Sequence, residues 1–257
     1  MLAIERRMQI QELLDRQGTV LVGDLAKAFG VTGETLRKDI LALEQKGLLR
    51  RTHGGAISLK ANAPLKKLAS RMDEYRLQKR ELSENAAALI REGDVIAVDE
   101  GSTAIEFARM LSERFQSLTV ITHCLDVFNQ LCRLEGFSVI LCGGHFLPDE
   151  NSFYGQLTLD MLDRLHVQKF FLFPSAVSIT AGVMDYHYAL YQVQRKFMDI
   201  SDRIYILADS SKFGKTATLK VCDVRPSYTF VTDSGLPEDE YQAFVQQKIN
   251  LIRSDRP

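Results

Sequence analysis

The chain has 257 residues, 46% of them hydrophobic, with 32 Lys and Arg against 33 Asp and Glu for a formal net charge of −1. No apolar run is long enough to cross a bilayer, and the N-terminus enters a charged amphipathic helix rather than a secretory signal. Membrane and exported classes are therefore set aside and the cytoplasm is expected. Cys124, Cys132, Cys142 and Cys222 lack the close paired spacing of zinc sites and read as reduced thiols, so neither a metal nor a cofactor is expected. The length allows a small module plus a larger domain with a substantial core. Charge divides the same way: residues 1–80 hold 16 Lys and Arg against 9 Asp and Glu, a balance of +7, and the remainder balances at −8. Local rather than net charge governs nucleic-acid binding, so the N-terminal part is the part suited to DNA.

In chain order, Arg6, Ile10, Leu13 and Leu14 form a first helical stripe that ends at Gly18, and Val22 to Phe29 makes a short second helix closed by Gly30. Thr32 then serves as N-cap of a third helix, Gly33 and Glu34 open its first turn, and Leu36, Ile40 and Leu43 recur as a buried stripe. Thr35, Arg37 and Lys38 stay free. That helix offers a positively polarised N-terminus for phosphate, short hydroxyls for close approach and long cations for a groove, as a recognition helix requires. An ordinary solvated amphipathic helix would carry similar cations. The flanks favour the DNA reading: Leu48 to Ile57 is a short β-ribbon with a glycine turn and Arg50, Arg51 and His53 near its tip, the form of a wing on the phosphate backbone or minor groove. His53 alone would pass as a surface histidine.

Residues 1–59 are thus a DNA-binding domain, 60–92 a linker with a connecting helix, and 93–257 a sensor domain. Leu77, Leu82, Ala86, Leu89 and Ile90 give the connector an apolar side to pack on its own large domain or on a second subunit. From Asp94 onward, β-rich runs at Val95–Val98, Leu118–Thr122, Phe137–Cys142, Lys169–Phe173, Ile204–Ala208 and Thr229–Val231 alternate with helical segments. The pattern predicts an α/β domain with a mainly parallel sheet covered on both faces. Ligands of such sheets bind beyond the strands' carboxyl ends. Those ends carry Asp99-Glu100-Gly101-Ser102-Thr103, Thr122-His123-Cys124, Gly143-Gly144 and Asp209 to Lys215 with Lys212. Each has a plain reading as cap, turn or solvated loop. Together the hydroxyls, free amides and lysine suit a phosphate with a polar pocket beside it, as in a phosphorylated sugar.

These residues resemble the DeoR family of bacterial transcriptional regulators over nearly the full length. In the first domain the resemblance rests on Arg6, Ile10 and Leu14, on Thr32 with the run Thr35 to Ile40, and on the wing Arg51-Thr52-His53-Gly54-Gly55-Ala56. In the second it rests on Asp99 to Thr103, Gly143-Gly144, Gly155 and Asp209 to Gly214. It implies a winged helix-turn-helix joined to a sensor domain resembling ribose 5-phosphate isomerase, with Gly101, Ser102, Thr103 and Lys212 on the effector phosphate and Asp99 shaping the loop or meeting a sugar hydroxyl. Three departures mark the pocket as altered. Thr122-His123-Cys124 stands where Thr-Asn-Ser is common, Pro174 to Ser178 replaces a glycine-rich turn, and Tyr191, Gln192 and Gln194 occupy a region that often holds a carboxylate.

The expected function is a ligand-responsive regulator, a repressor of a carbohydrate operon, that binds double-stranded operator DNA as a dimer or higher homo-oligomer and is retuned by a phosphorylated sugar. One alternative is a sugar-phosphate isomerase carrying a DNA-binding appendage. Glu100, Asp185 and His187 could be proposed for its chemistry, although the sequence does not place them together. Another is a DNA-binding oligomer that senses nothing.

Overall fold

The computed structural model describes residues 3–17, 19–46, 48–51, 54–58 and 68–254. The chain divides into two compact units at residues 66 and 67.

In the first unit, α1 (Ala3–Gln17) leads through β1 (Thr19–Leu21) into α2 (Val22–Phe29) and α3 (Gly33–Gln45), followed by β2 (Leu49–Arg51) and β3 (Gly55–Ser58). Gly30 takes φ 64°, the left-handed conformation that closes α2 and turns the chain toward α3. Ile10 and Leu14 from α1, Leu25 from α2 and Leu36, Ile40 and Leu43 from α3 meet Val20, Leu49 and Ala56 in one core. The wing has a strand that periodicity did not predict, β1, in an antiparallel sheet of order β1-β3-β2. Gly55 pairs with Leu21 there, and a Cβ on Gly55 would lie 1.9 Å from the Val20 carbonyl oxygen, so only glycine admits this close pairing. Gly18, Thr52 and His53 lie outside the described residues.

The second unit opens with α4 (Leu68–Arg71) and α5 (Arg76–Ala87), then β4 (Val95–Val98), α6 (Ser102–Arg114), β5 (Leu118–Thr122), α7 (Leu125–Leu131) and β6 (Phe137–Leu141). After a hairpin of β7 (His145–Leu147) and β8 (Ser152–Tyr154) come α8 (Gln156–Leu162), β9 (Val167–Leu172), β10 (Ala176–Ser178), β11 (Gly182–Asp185) and α9 (Tyr188–Asp199). The chain ends through β12 (Ser201–Leu207), β13 (Leu219–Cys222), β14 (Thr229–Thr232), α10 (Glu238–Gln246) and β15 (Asn250–Arg253). Seven strands form a sheet of order β15-β14-β12-β9-β4-β5-β6, parallel at every pairing. Its residues alternate between two cores. Ile96, Val98, Phe171 and Leu207 pack with α5, α6 and α7, whereas Ala97, Phe170, Leu172 and Ile206 pack with α8, α9 and α10. A sheet buried on both faces accounts for its nearly continuous apolar strands. The helix expected in the connector, α5, packs on α6 and β14 and so belongs to the larger unit.

The chain leaves β4 toward β5 on one side of the sheet and β9 toward β12 on the other, so the strand order reverses between β4 and β9. Ligand crevices open at such a reversal, beyond the strand C-termini. A small antiparallel sheet of order β10-β11-β13 stands beside that end. Its first strand, β10, takes up Ala176 to Ser178 of the segment that replaces a glycine-rich turn.

Candidate functional site

The first unit presents α3. Thr32 adopts an extended conformation and its Oγ1 accepts the Thr35 backbone N–H at 3.3 Å, so the cap is formed by the residue the sequence pointed to. Leu36, Ile40 and Leu43 are buried while Thr32, Glu34, Arg37 and Lys38 are exposed, and Lys38 lies 3.3 Å from Glu34 one turn back. Asp39 is also buried. Its carboxylate accepts Arg6 Nε at 2.5 Å and Arg7 Nε at 2.8 Å, which ties α1 to α3. Arg6 therefore braces α3 against α1. On the wing, Arg51 donates from its backbone N–H (2.9 Å) and its Nε (2.5 Å) to Glu44, and that backbone bond holds the Glu44 carboxyl below its ordinary range. Arg51 fixes the wing to α3 with its charge shared. Nothing in the described residues bears on the Arg50 side chain or on His53.

The second unit has a cleft at the β4/β9 reversal, with a cavity of about 40 Å³. Gly101 takes φ 105° ahead of α6, and no side chain caps that helix. Ser102 and Thr103, both nearly buried, line the cleft with Gly101 and with Lys212 from a 3-10 turn at Ser210–Lys212. First-turn N–H groups at a helix start without a side-chain cap suit an anion. Two residues that the sequence did not single out join them. Arg71 on α4 reaches in, and Lys79 on α5 is 4% exposed and donates from Nζ to the Arg71 carbonyl. Burial, reinforced by the charges of Lys212 and Arg71, pushes the Lys79 ammonium down to about 8.

Part of the wall is acidic. Glu100, Asp185 and His187, which the sequence could not place together, all line this cleft with Glu150. Burial raises the Glu100 carboxyl well above its ordinary range, and the negative charges of Asp99, Glu150 and Asp185 add to the shift. The Glu100 carboxyl therefore holds its proton more tightly than a free carboxyl does, and among the described residues its Oε2 has no hydrogen-bond partner. Burial also raises Asp185, although Ser175 Oγ at 3.0 Å, the Tyr186 N–H at 2.7 Å and Gln194 Nε2 at 3.0 Å all donate to it. At Glu150, burial acts upward but is outweighed by the His187 hydrogen bond at 2.9 Å and by the Arg71 charge, so its carboxyl lies below the ordinary range.

Asp99 is fully buried behind this wall. It accepts His123 Nε2 at 3.0 Å, Gln194 Nε2 at 3.2 Å and, at 3.5 Å, the Phe173 N–H, so it shapes the loop from within. His123 Nδ1 lies 2.8 Å from the Phe153 carbonyl, so each ring nitrogen has an oxygen within hydrogen-bond reach. Gln194 donates to both Asp99 and Asp185, where a carboxylate would meet two others. An amide at position 194 thus bridges two carboxylates without adding a third charge. Thr122 Oγ1 accepts the Cys124 N–H at 3.1 Å, and burial pushes the Cys124 thiol up to about 12, so it is not a nucleophile. Thr122, His123 and Cys124 support the cleft without lining it. Gly143 and Gly144 lie outside the lining as well: Thr158 Oγ1 donates to the Gly143 carbonyl at 3.0 Å, and a Cβ on Gly144 would lie 2.6 Å from the Tyr154 carbonyl oxygen. They form a packing turn.

Residues 6–62 match the DeoR-like helix-turn-helix domain, and residues 75–234 match the DeoR C terminal sensor domain. The chain belongs to the DeoR family. Like other DeoR-family chains it is a DNA-binding transcriptional regulator rather than an enzyme. It is 30% identical over 251 residues to a putative aga operon transcriptional repressor of Escherichia coli O157:H7, covering 96% of this chain and 93% of that one. It is 32% identical over 238 residues to an L-fucose operon activator of Haemophilus influenzae, covering 93% and 94%. Ribose 5-phosphate isomerase A from Neisseria gonorrhoeae superposes with a TM-score of 0.41 at 15% identity over 53% of each chain. No helix among the described residues is long and apolar enough to cross a membrane.

Proposed function

We propose that this DeoR-family chain represses a carbohydrate-utilisation operon in the cytoplasm and that a phosphorylated sugar, bound in the β4/β9 cleft, sets its affinity for operator DNA. Thr32, Gly33, Glu34, Thr35, Arg37 and Lys38 on α3, with Arg50, Arg51 and His53 on the wing, form the DNA-facing set. One winged module reads only a short half-site, so specificity favours a dimer or higher homo-oligomer. The relatives named for the aga and L-fucose operons support a carbohydrate operon as target. The observation that carries the ligand is the start of α6: Gly101, Ser102 and Thr103 with no capping side chain, facing Lys212 and a crowded Lys79. Amides, hydroxyls and cations receive the phosphate, and the acidic wall of Glu100 and Asp185 faces sugar hydroxyls. A panel of phosphorylated sugars and their unphosphorylated parents, scanned by thermal shift, tests this reading. Ligands that bind only the folded state raise its melting temperature by mass action, so phosphorylated members alone should do so. An equal response to both sets, or none to either, would count against a phosphate site.

A further inference from the structure

The cleft is too small for the ligand its chemistry suits. Its cavity of about 40 Å³ has room for a water or two. Small-molecule sites occupy ~300 Å³ or more, so part of the lining must move on binding. Arg71 is the group poised to do so. It lies on α4, the first described element after residues 59–67, through which the chain continues from the DNA-binding unit. Its guanidinium pairs with Glu150, yet its Nε is buried and has no hydrogen-bond partner among the described residues. Glu150 has a second donor in His187 and would stay paired if Arg71 left. Arg71, Lys79 and Lys212 all line the cleft, and the positive charges of Lys212 and Arg71 weigh on the Lys79 ammonium against the opposing charges of Asp209 and Glu74. An anion at the start of α6 would offset those positive charges and offer the Arg71 fork a bidentate partner. At the far end of the segment Tyr75 adopts φ 53° and ψ 33° immediately before α5, a left-handed conformation that non-glycine residues rarely take.

We infer that Arg71 is an exchangeable arm of the effector site: held by Glu150 in the ligand-free protein, it transfers its guanidinium to the phosphate of the bound ligand and carries α4 with it. This rests on the phosphate reading proposed above and adds the route by which occupancy reaches the segment leading to the DNA-binding unit.

Calorimetric titration of the full-length protein with inorganic phosphate tests the exchange. Glu150→Gln keeps a partner for His187 but releases the competitor for Arg71, so it should tighten phosphate binding several-fold. Arg71→Gln should weaken it tenfold or more, and the double variant should bind no more tightly than Arg71→Gln. Arg71→Lys keeps the charge but loses the fork and should also weaken binding; it decides the matter if Arg71→Gln melts below the assay temperature. A purely structural Arg71–Glu150 pair predicts the opposite for Glu150→Gln, namely unchanged or weaker binding, and that result would overturn the arm while leaving the phosphate site intact. Wild-type protein that binds no phosphate at all would overturn both.

Discussion

Glu100→Gln isolates the most unusual electrostatic feature of the cleft. The folded protein keeps the Glu100 proton well above the carboxyl's ordinary value of 4.5, because the group is buried and Asp99, Glu150 and Asp185 lie around it. Below pH 4.5 the carboxyl is protonated in folded and unfolded chains alike, and it contributes no difference. Above pH 4.5 the unfolded chain releases the proton and the folded chain retains it, so the wild-type protein loses stability as pH rises until the folded value is passed. The loss has a ceiling of ~1.4 kcal/mol per pH unit. Glutamine has no proton to release, and any constant cost of burying its amide cancels when two pH values are compared. Above pH 4.5 the stability of Glu100→Gln relative to wild type should therefore rise with pH, by no more than ~1.4 kcal/mol per pH unit, until the folded value is passed. The chain contains no tryptophan, so urea unfolding is best followed by far-UV circular dichroism, with scanning calorimetry to separate the sensor transition from that of the smaller unit. Parallel pH profiles for the two proteins would refute a proton held at Glu100 in the fold.

Arg37→Ala and Lys38→Ala should weaken DNA binding without lowering the melting temperature, since both side chains stand exposed on a packed helix. A lost phosphate contact reduces the salt slope by about one, and a lost base contact relaxes sequence preference by ~1–3 kcal/mol, both readable from anisotropy titrations at several salt concentrations. Asp39→Ala should cost ~1.5–3 kcal/mol by removing the buried carboxylate to which Arg6 and Arg7 both donate, lowering the calorimetric transition of the smaller unit while the sensor retains its own. Phosphate binding at pH 8.5 should be accompanied by proton uptake, because an anion beside Lys79 raises an ammonium that burial has lowered to about 8. Calorimetry in two buffers of different ionisation enthalpy reads that uptake, and heats independent of buffer would exclude Lys79 from the site.

The helices of the first unit were legible because their signals are local: Gly30 and Thr32 bracket a turn, and Leu36, Ile40 and Leu43 repeat at helical spacing. The central strands were legible as apolar runs, whereas β1, β7, β8 and β10 were not, since three residues carry no period. Asn250–Arg253 at the sheet edge is half polar and was missed as well. The Gly101-Ser102-Thr103 part of the cleft lining could be read because the three residues are consecutive. The rest of the cleft could not. Arg71, Lys79, Glu150 and Asp185 come from four separated segments, and only the strand order brings them together. Arg6 and Asp39 show a related limit: charged residues that carried the family resemblance prove to be an internal brace between α1 and α3.

The central claim is that one chain reads DNA through α3 and is retuned from the β4/β9 cleft. Its most direct test is a fluorescence-anisotropy titration of the full-length protein on DNA from upstream of its own and neighbouring genes, with and without each phosphorylated sugar that raises its melting temperature. At least one such sugar should change the DNA affinity several-fold, a coupling of ~1–3 kcal/mol, and Lys212→Ala should abolish the change. A sugar phosphate that binds wild-type protein tightly yet leaves its operator affinity the same would contradict the account.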